Sequence, residues 1–473
     1  MPRTVRQRCK LQWHAGIHPP SNSDVRSVKT NAALRQLPFG EVTSAADGTH
    51  DKWMKTVIFF AGAMAVASAH RVTFSVLAVP LQRELGLSLP QMGILQSAVL
   101  AGYILGQIPL GVVADRIGGT LVMHISLFLW SAVTGLTAFV HGTSPSLQFP
   151  GLLLARFALG LSQSCIMPAT SAMAARCLPQ EYRGRALSFI YAASSLGVVA
   201  GLLCFPVVAA PLGWPAALVA FAAGGLLWVV FGALTLPQGK MPPLAPVAVR
   251  TAKSHESKRG AQPRQKNSSK SNWFQVLVLC WTHCVIGWGF FIFQAWMPSY
   301  LHSMGAADLG SMGMLSALPW AASAFGGLGA GWLADHLHES HRWELARVRG
   351  FTQTIATIGP AVSLVPLIVT HNSCGLRMAV VCLTAFMGLQ AFCYSGFHAY
   401  VQDVAPKDAG KLLGLSNSAA TVVGMAGNVV TGGMAASTWG YSGLFALTAL
   451  LYTGSCLTWN MCMKGQHLTV AYA

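Results

Sequence analysis

Along this chain apolar and polar residues separate into long blocks rather than alternating with a short period. Twelve apolar blocks stand out, at about 54–80, 91–113, 119–140, 149–176, 186–210, 214–236, 275–301, 310–334, 350–370, 376–400, 411–436 and 440–463. Each is long enough for a membrane-crossing helix, which needs about 20 apolar residues. The pattern predicts an all-α membrane protein of twelve transmembrane helices in two pseudo-symmetric six-helix bundles. Residues 53–236 form the first bundle and 274–463 the second. A basic linker at 237–273 joins them, and polar tails at 1–52 and 464–473 flank them.

A repeat supports the division. Gly111-Val-Val-Ala-Asp115 ends the second block and Gly331-Trp-Leu-Ala-Asp335 ends the eighth, so one pattern recurs at equivalent junctions. Related halves of this kind are common in transporters. The basic residues fall mostly on one side. They include the linker, Arg116, Arg176, Arg183, Arg185, Arg342, Arg347, Arg349, Lys407 and Lys411, against Arg83 and Arg377 on the other. The positive-inside rule then puts the linker and both termini in the cytosol, or in the stroma of a plastid.

Composition agrees. Of 473 residues 53% are hydrophobic and only 10% charged, far below the quarter expected of a soluble domain. The net charge of +17 does not indicate nucleic acid, because it is carried by the N-terminal tail and by loops on one side. The 11 cysteines are scattered without a CxxC pair, so neither a zinc site nor a disulfide framework is indicated. Residues 1–52 are rich in Arg, Lys, Ser and Thr and lack the apolar core of a secretory signal. That composition suits an organelle transit peptide. A disordered cytosolic tail is the competing reading.

Two arginines break the apolar pattern: Arg71 within 57–80 and Arg156 within 152–175. A guanidinium at membrane depth costs about 2.5–3.5 kcal/mol on insertion scales. It cannot shed its proton to escape that cost. Each must face a partner, a wet cavity or an anion. The alternatives are pairing with backbone carbonyls or snorkelling to an interface.

Several motifs carry a resemblance. They are Arg71-Val-Thr-Phe-Ser75, Gly102-Tyr103 with Gln107, Arg156 through Gly160 to Met167-Pro168, Gly213-Trp214-Pro215, Trp296-Met-Pro-Ser-Tyr300, Leu318-Pro-Trp320, and Gly410 through Leu413-Gly-Leu-Ser-Asn417. With the loop Gly111–Gly118, they resemble the major facilitator superfamily. Within it they resemble the anion:cation symporters, and more finely the plant and algal plastid anion transporters for phosphate or ascorbate. Vesicular glutamate transporters and sialin belong to the wider group. Three departures stand out. Gly119 and Thr120 replace a basic pair. Gly160-Leu-Ser-Gln163-Ser stands where a glutamate is usual, and Ile286-Gly287 precede Trp288 where His-Asn is common.

The resemblance implies that Arg71 and Arg156 bind and gate the substrate. Gln163 cannot titrate, so proton coupling through this position is expected to be absent and the cavity more positive. Gln96, Tyr103, Gln294, Tyr300, Tyr394, Ser395, His398 and Asn417 are polar residues on apolar helices, candidate cavity liners or simple interhelical hydrogen bonds. His70, beside Arg71, reads as a neutral hydrogen-bonding imidazole or a titrating group. Gly111, Asp115, Arg116, Gly331 and Asp335 are expected to act as a conformational lock, with Arg116 as local partner of the carboxylates.

The expected function is a secondary active anion transporter working by alternating access. Phosphate is the first substrate and ascorbate or another carboxylate the second. No GxxxxGK[ST] motif, metal-ligand cluster or Ser/His/Asp arrangement indicates ATP use or enzyme chemistry. No cofactor is called for, and the coupling ion would be Na+ or H+. The expected partners are a small anion and the lipid bilayer, with the chain working as a monomer. An anion sensor and an anion channel are the rival classes.

Overall fold

The computed structural model describes residues 47–178, 183–236, 272–371, 373, 375–405, 409–463 and 465. The targeting reading of the N-terminal tail, nearly all of the linker and nearly all of the C-terminal tail therefore lie outside the described residues. Regular structure in the described residues is helical throughout. In chain order the helices are α1 (Asp47–Leu85), α2 (Leu89–Ile117), α3 (Gly119–Thr137), α4 (Pro145–Gln163), α5 (Ile166–Cys177), α6 (Arg183–Thr235) and α7 (Asn272–Ser303). They continue with α8 (Leu309–Glu339), α9 (Leu345–Val369), α10 (Gly375–Gln390), α11 (Phe397–Val404), α12 (Ala409–Ala435) and α13 (Gly440–Cys462).

Eight helical stretches among the described residues are long and apolar enough to cross a membrane. This differs from the twelve blocks for two reasons. The fifth and sixth blocks run together in α6, whose 53 residues are interrupted only at Gly213, φ 79° and ψ 159°. That left-handed conformation suits glycine, and Pro211 and Pro215 flank it. The helices α8, α12 and α13 have the length, but Gly, Ser and Thr dilute their apolar character.

Other predicted helices are broken where proline or local hydrogen bonds require it. The helix carrying Arg156 stops after Gln163 and resumes as α5 at Ile166. Pro168 explains the break, because its ring clashes with the carbonyl four residues earlier, at Ser164. Between α10 and α11 the chain passes through a short 3-10 turn, and Gln353 Oε1 accepts from the Phe397 amide at 2.9 Å, satisfying the first turn of α11.

The repeat at the far ends of α2 and α8 has a counterpart at their starts. Ser88 caps α2 in a capping box with Gln91, and Asp308 caps α8 in one with Ser311. The backbone N–H of Ser311, at 2.8 Å, holds the Asp308 carboxyl below its ordinary range.

The halves meet where α2 packs on α12 and α6 on α8. Away from the basic loops these contacts are tight. A Cβ on Gly93 would lie 2.7 Å from the Asn428 carbonyl, so only glycine lets α2 and α12 approach this closely. At the same end Arg83 Nη2 lies 2.8 Å from His302 Nε2, tying the end of α1 to the end of α7. Toward the basic end, Gly331, Gly410 and Gly414 face open space. The close contacts at Gly93 and Arg83 lie at the end opposite the basic loops.

Candidate functional site

The helices α1, α2, α4, α7 and α12 converge on a small cavity. Arg71, Gln96, Val99, Leu100, Arg156, Phe291, Gln294, Ala295 and Asn428 line it. Its free volume is about 10 Å³, room for roughly one water. A larger apolar groove, about 460 Å³, lies between α2, α4 and Met425 of α12, but its lining offers no charged group.

The two arginines are held differently. Arg71, half-buried, donates from Nε at 3.1 Å and from Nη2 at 2.9 Å to the single Oε1 of Gln163. Gln163, fully buried, donates its own Nε2 to the Ala67 carbonyl at 3.1 Å. The Arg71 guanidinium also stands 5.6 Å from the Tyr103 ring centre, within cation–π range. Arg156 is 3% exposed; its Nη2 donates to Gln96 Oε1 at 3.3 Å and its guanidinium lies 4.2 Å from the Phe74 ring centre. Gln96 Nε2 donates across to the Ala295 carbonyl at 3.1 Å, linking the halves.

Among the described residues no carboxylate lines this cavity. Among them its two cations are met by amide oxygens and ring faces, which soften but do not cancel the cost of burying charge. Planar guanidinium donors in a low-dielectric pocket, with amides beside them, are arranged to hold an anion through charge-assisted hydrogen bonds.

The structure gathers Arg71, Arg156, Gln96, Tyr103, Gln163 and Gln294 at or beside the cavity. It places five other sequence candidates, Tyr300, Tyr394, Ser395, His398 and Asn417, elsewhere. Tyr300 packs edge-on against Tyr441 and Phe445 near the end of α7. The Ser395 carbonyl accepts from Arg349 Nη1 at 3.3 Å, near the basic end. His398 stacks on Tyr394 and lies 5.5 Å from His283. Asn417 is half-buried one α12 segment away, where its carbonyl accepts from Thr421. Alternation of polar residues along a helix could not tell these faces apart. His70 turns away too, its Nε2 donating to the Phe221 carbonyl at 2.9 Å.

The lock residues need one correction. Asp115 and Arg116 are exposed, and among the described residues their side chains form no ion pair with each other. It is Arg176 that reaches the end of α2, through the backbone carbonyl of Asp115. Gly111 and Gly331 sit one turn before Asp115 and the exposed Asp335. In the second half the ion pair is Arg349 with Asp403, 2.8 Å, joining α9 to α11. Asn428 and Phe74 were missed in the sequence. Asn428 had a signal, as a lone amide in a run of small apolar residues.

An all-helical, multi-pass frame with paired cations at its centre defines a membrane transporter. The chain belongs to the Major Facilitator Superfamily, whose profile matches residues 59–427. That membership makes it a member of a transport fold, not an enzyme. The sodium-dependent phosphate transport protein 1 of Arabidopsis thaliana chloroplasts is 30% identical over 424 residues, 88% of this chain and 80% of that one. The chloroplast ascorbate transporter of the same plant is 31% identical over 433 residues, 88% and 76%. Among solved structures, a D-xylose-proton symporter superposes with a TM-score of 0.71 at 15% identity, covering 88% and 100%. An inward-facing, occupied bacterial homologue of the lysosomal transporter Spinster gives 0.67 at 16%, covering 87% and 97%. These two show the fold alone.

Proposed function

We propose that the chain is a secondary active anion carrier of a plastid membrane, with inorganic phosphate as first substrate. The observation that carries this is the pair Arg71 and Arg156, brought from α1 and α4 to one cavity that no carboxylate lines. In this reading all twelve segments cross the membrane as two six-helix bundles, with α8, α12 and α13 crossing beside their more apolar partners. The basic end faces the stroma. The contacts that close the opposite end break as the halves rock, while Asp115 and Asp335 steady the basic loops in one of the two states. The chain works as a monomer, driven by an ion gradient, of Na+ or H+, or by an electrical gradient rather than by ATP.

Phosphate is favoured because the phosphate-transporting relative is similar over most of both chains. An organic anion such as ascorbate is the second reading, on equal similarity to the ascorbate transporter. The test is uptake of labelled phosphate and ascorbate into proteoliposomes under imposed pH, sodium and voltage gradients. Saturable uptake that Arg71→Ala abolishes is the expected result. Folded protein that moves neither anion would overturn the proposal. Location is tested separately, by fusing residues 1–55 to a fluorescent protein. Plastid import is expected, and diffuse cytosolic signal would refute it.

A further inference from the structure

Two polar atoms at the cavity have no partner among the described residues: Arg156 Nε, a donor, and Asn428 Oδ1, an acceptor. Both residues line the cavity and both are almost wholly buried, at 3% and 2% exposed. The Asn428 amide is oriented by its neighbour. Its Nδ2 lies 3.5 Å from the Gln96 backbone carbonyl, and a flipped amide would set oxygen against oxygen there. The acceptor of Asn428 is thus the free end. A buried unpaired donor and acceptor each cost stability, and a ligand that satisfies both recovers that cost.

Resting on the anion-carrier reading above, we infer that Asn428 is a specificity-determining residue, selecting an oxyanion that still carries a proton. The guanidiniums of Arg71 and Arg156 donate to the anion's unprotonated oxygens. Asn428 Oδ1 accepts a hydrogen bond from its O–H. Inorganic phosphate keeps at least one proton near neutrality, and the ascorbate anion keeps hydroxyl groups. Sulfate has the shape and charge of phosphate but no proton to give. With sulfate bound, the Asn428 oxygen would face an anion oxygen with no hydrogen between them. Sites built to hydrogen-bond a substrate O–H reject analogues lacking it strongly, for this reason.

The experiment uses the purified full chain. Thermal stabilisation by phosphate, ascorbate and sulfate is titrated for wild type, Asn428→Ala and Asn428→Ser, and the same anions compete against uptake in proteoliposomes. Wild type should bind phosphate or ascorbate at least about tenfold more tightly than sulfate. Asn428→Ala should bring the proton-bearing anion and sulfate to within a few-fold, chiefly by weakening the former. If alanine prevents folding, Asn428→Ser should retain part of the discrimination, since its hydroxyl still accepts. Whichever of phosphate and ascorbate wins identifies the source of the O–H. Sulfate bound as tightly as phosphate and ascorbate by wild type overturns the inference alone, as does a ratio unchanged in Asn428→Ala. Binding of none of the three by wild type overturns the anion-carrier reading and this inference with it.

Discussion

Arg71 spends two of its donors, Nε and Nη2, on one oxygen, the Oε1 of Gln163. The bond is neutral on one side, so Arg71 keeps its full charge and its remaining donors. A carboxylate at position 163 would differ. Unit charges about 4 Å apart attract by about 4 kcal/mol at an effective dielectric near 20.

Gln163→Glu should therefore lower anion affinity at least tenfold near neutrality, because the new carboxylate competes for Arg71. The loss should persist from about pH 5 to about pH 8, because a carboxylate bound to an arginine stays ionised there. Uptake by mutant and wild type, taken as a ratio across about pH 5 to about pH 8, isolates this from the substrate's own titration. A mutant-to-wild-type ratio near one throughout would show that residue 163 does not communicate with the bound anion.

Arg156→Lys keeps the charge but loses the planar fork and its seat against Phe74. Uptake should fall at least tenfold, mostly through a raised KM, with the protein still folded. Near-wild-type kinetics would mean that Arg156 supplies charge only.

Gly93 lets α2 touch α12 where the Asn428 carbonyl comes within 2.7 Å of a notional Cβ. Gly93→Val should wedge this end apart. A cysteine replacing Gln294, with native cysteines substituted, should then react faster with an impermeant thiol reagent added from that side. Unchanged labelling would place the seal elsewhere along the interface.

The Arg83–His302 contact is exposed, and exposed polar ties contribute about 0–1 kcal/mol. Arg83→Ala should shift the same labelling rate by no more than about fivefold, and in the same direction as Gly93→Val. A larger shift would show that Arg83 holds more than His302.

The sequence exposed the two arginines because a charge in an apolar block has few ways to be accommodated. It did not expose who accommodates them. The Arg71–Gln163 and Arg156–Gln96 bonds join residues 92 and 60 positions apart, and depend on how α1, α2 and α4 pack. The helix count shows the same limit. Around Gly213 the local chemistry reads as a turn, yet helix resumes at once on either side. Tyr300 and Asn428 show it for the site. Both are polar residues on apolar helices, and only packing sets one in an aromatic cluster and the other on the cavity wall.

Gln96 holds Arg156 with its oxygen, the Ala295 carbonyl with its nitrogen, and the Asn428 amide through its backbone. One amide thus bridges both halves at the substrate's own level. When the halves part, an empty carrier gives up the bond from Gln96 to the Ala295 carbonyl with nothing bound in its place. A loaded one lets the anion take over the arginine. The turnover of this chain should therefore be limited by the unloaded return, so that anion waiting on the far side accelerates entry from the near side: exchange should outrun net flow.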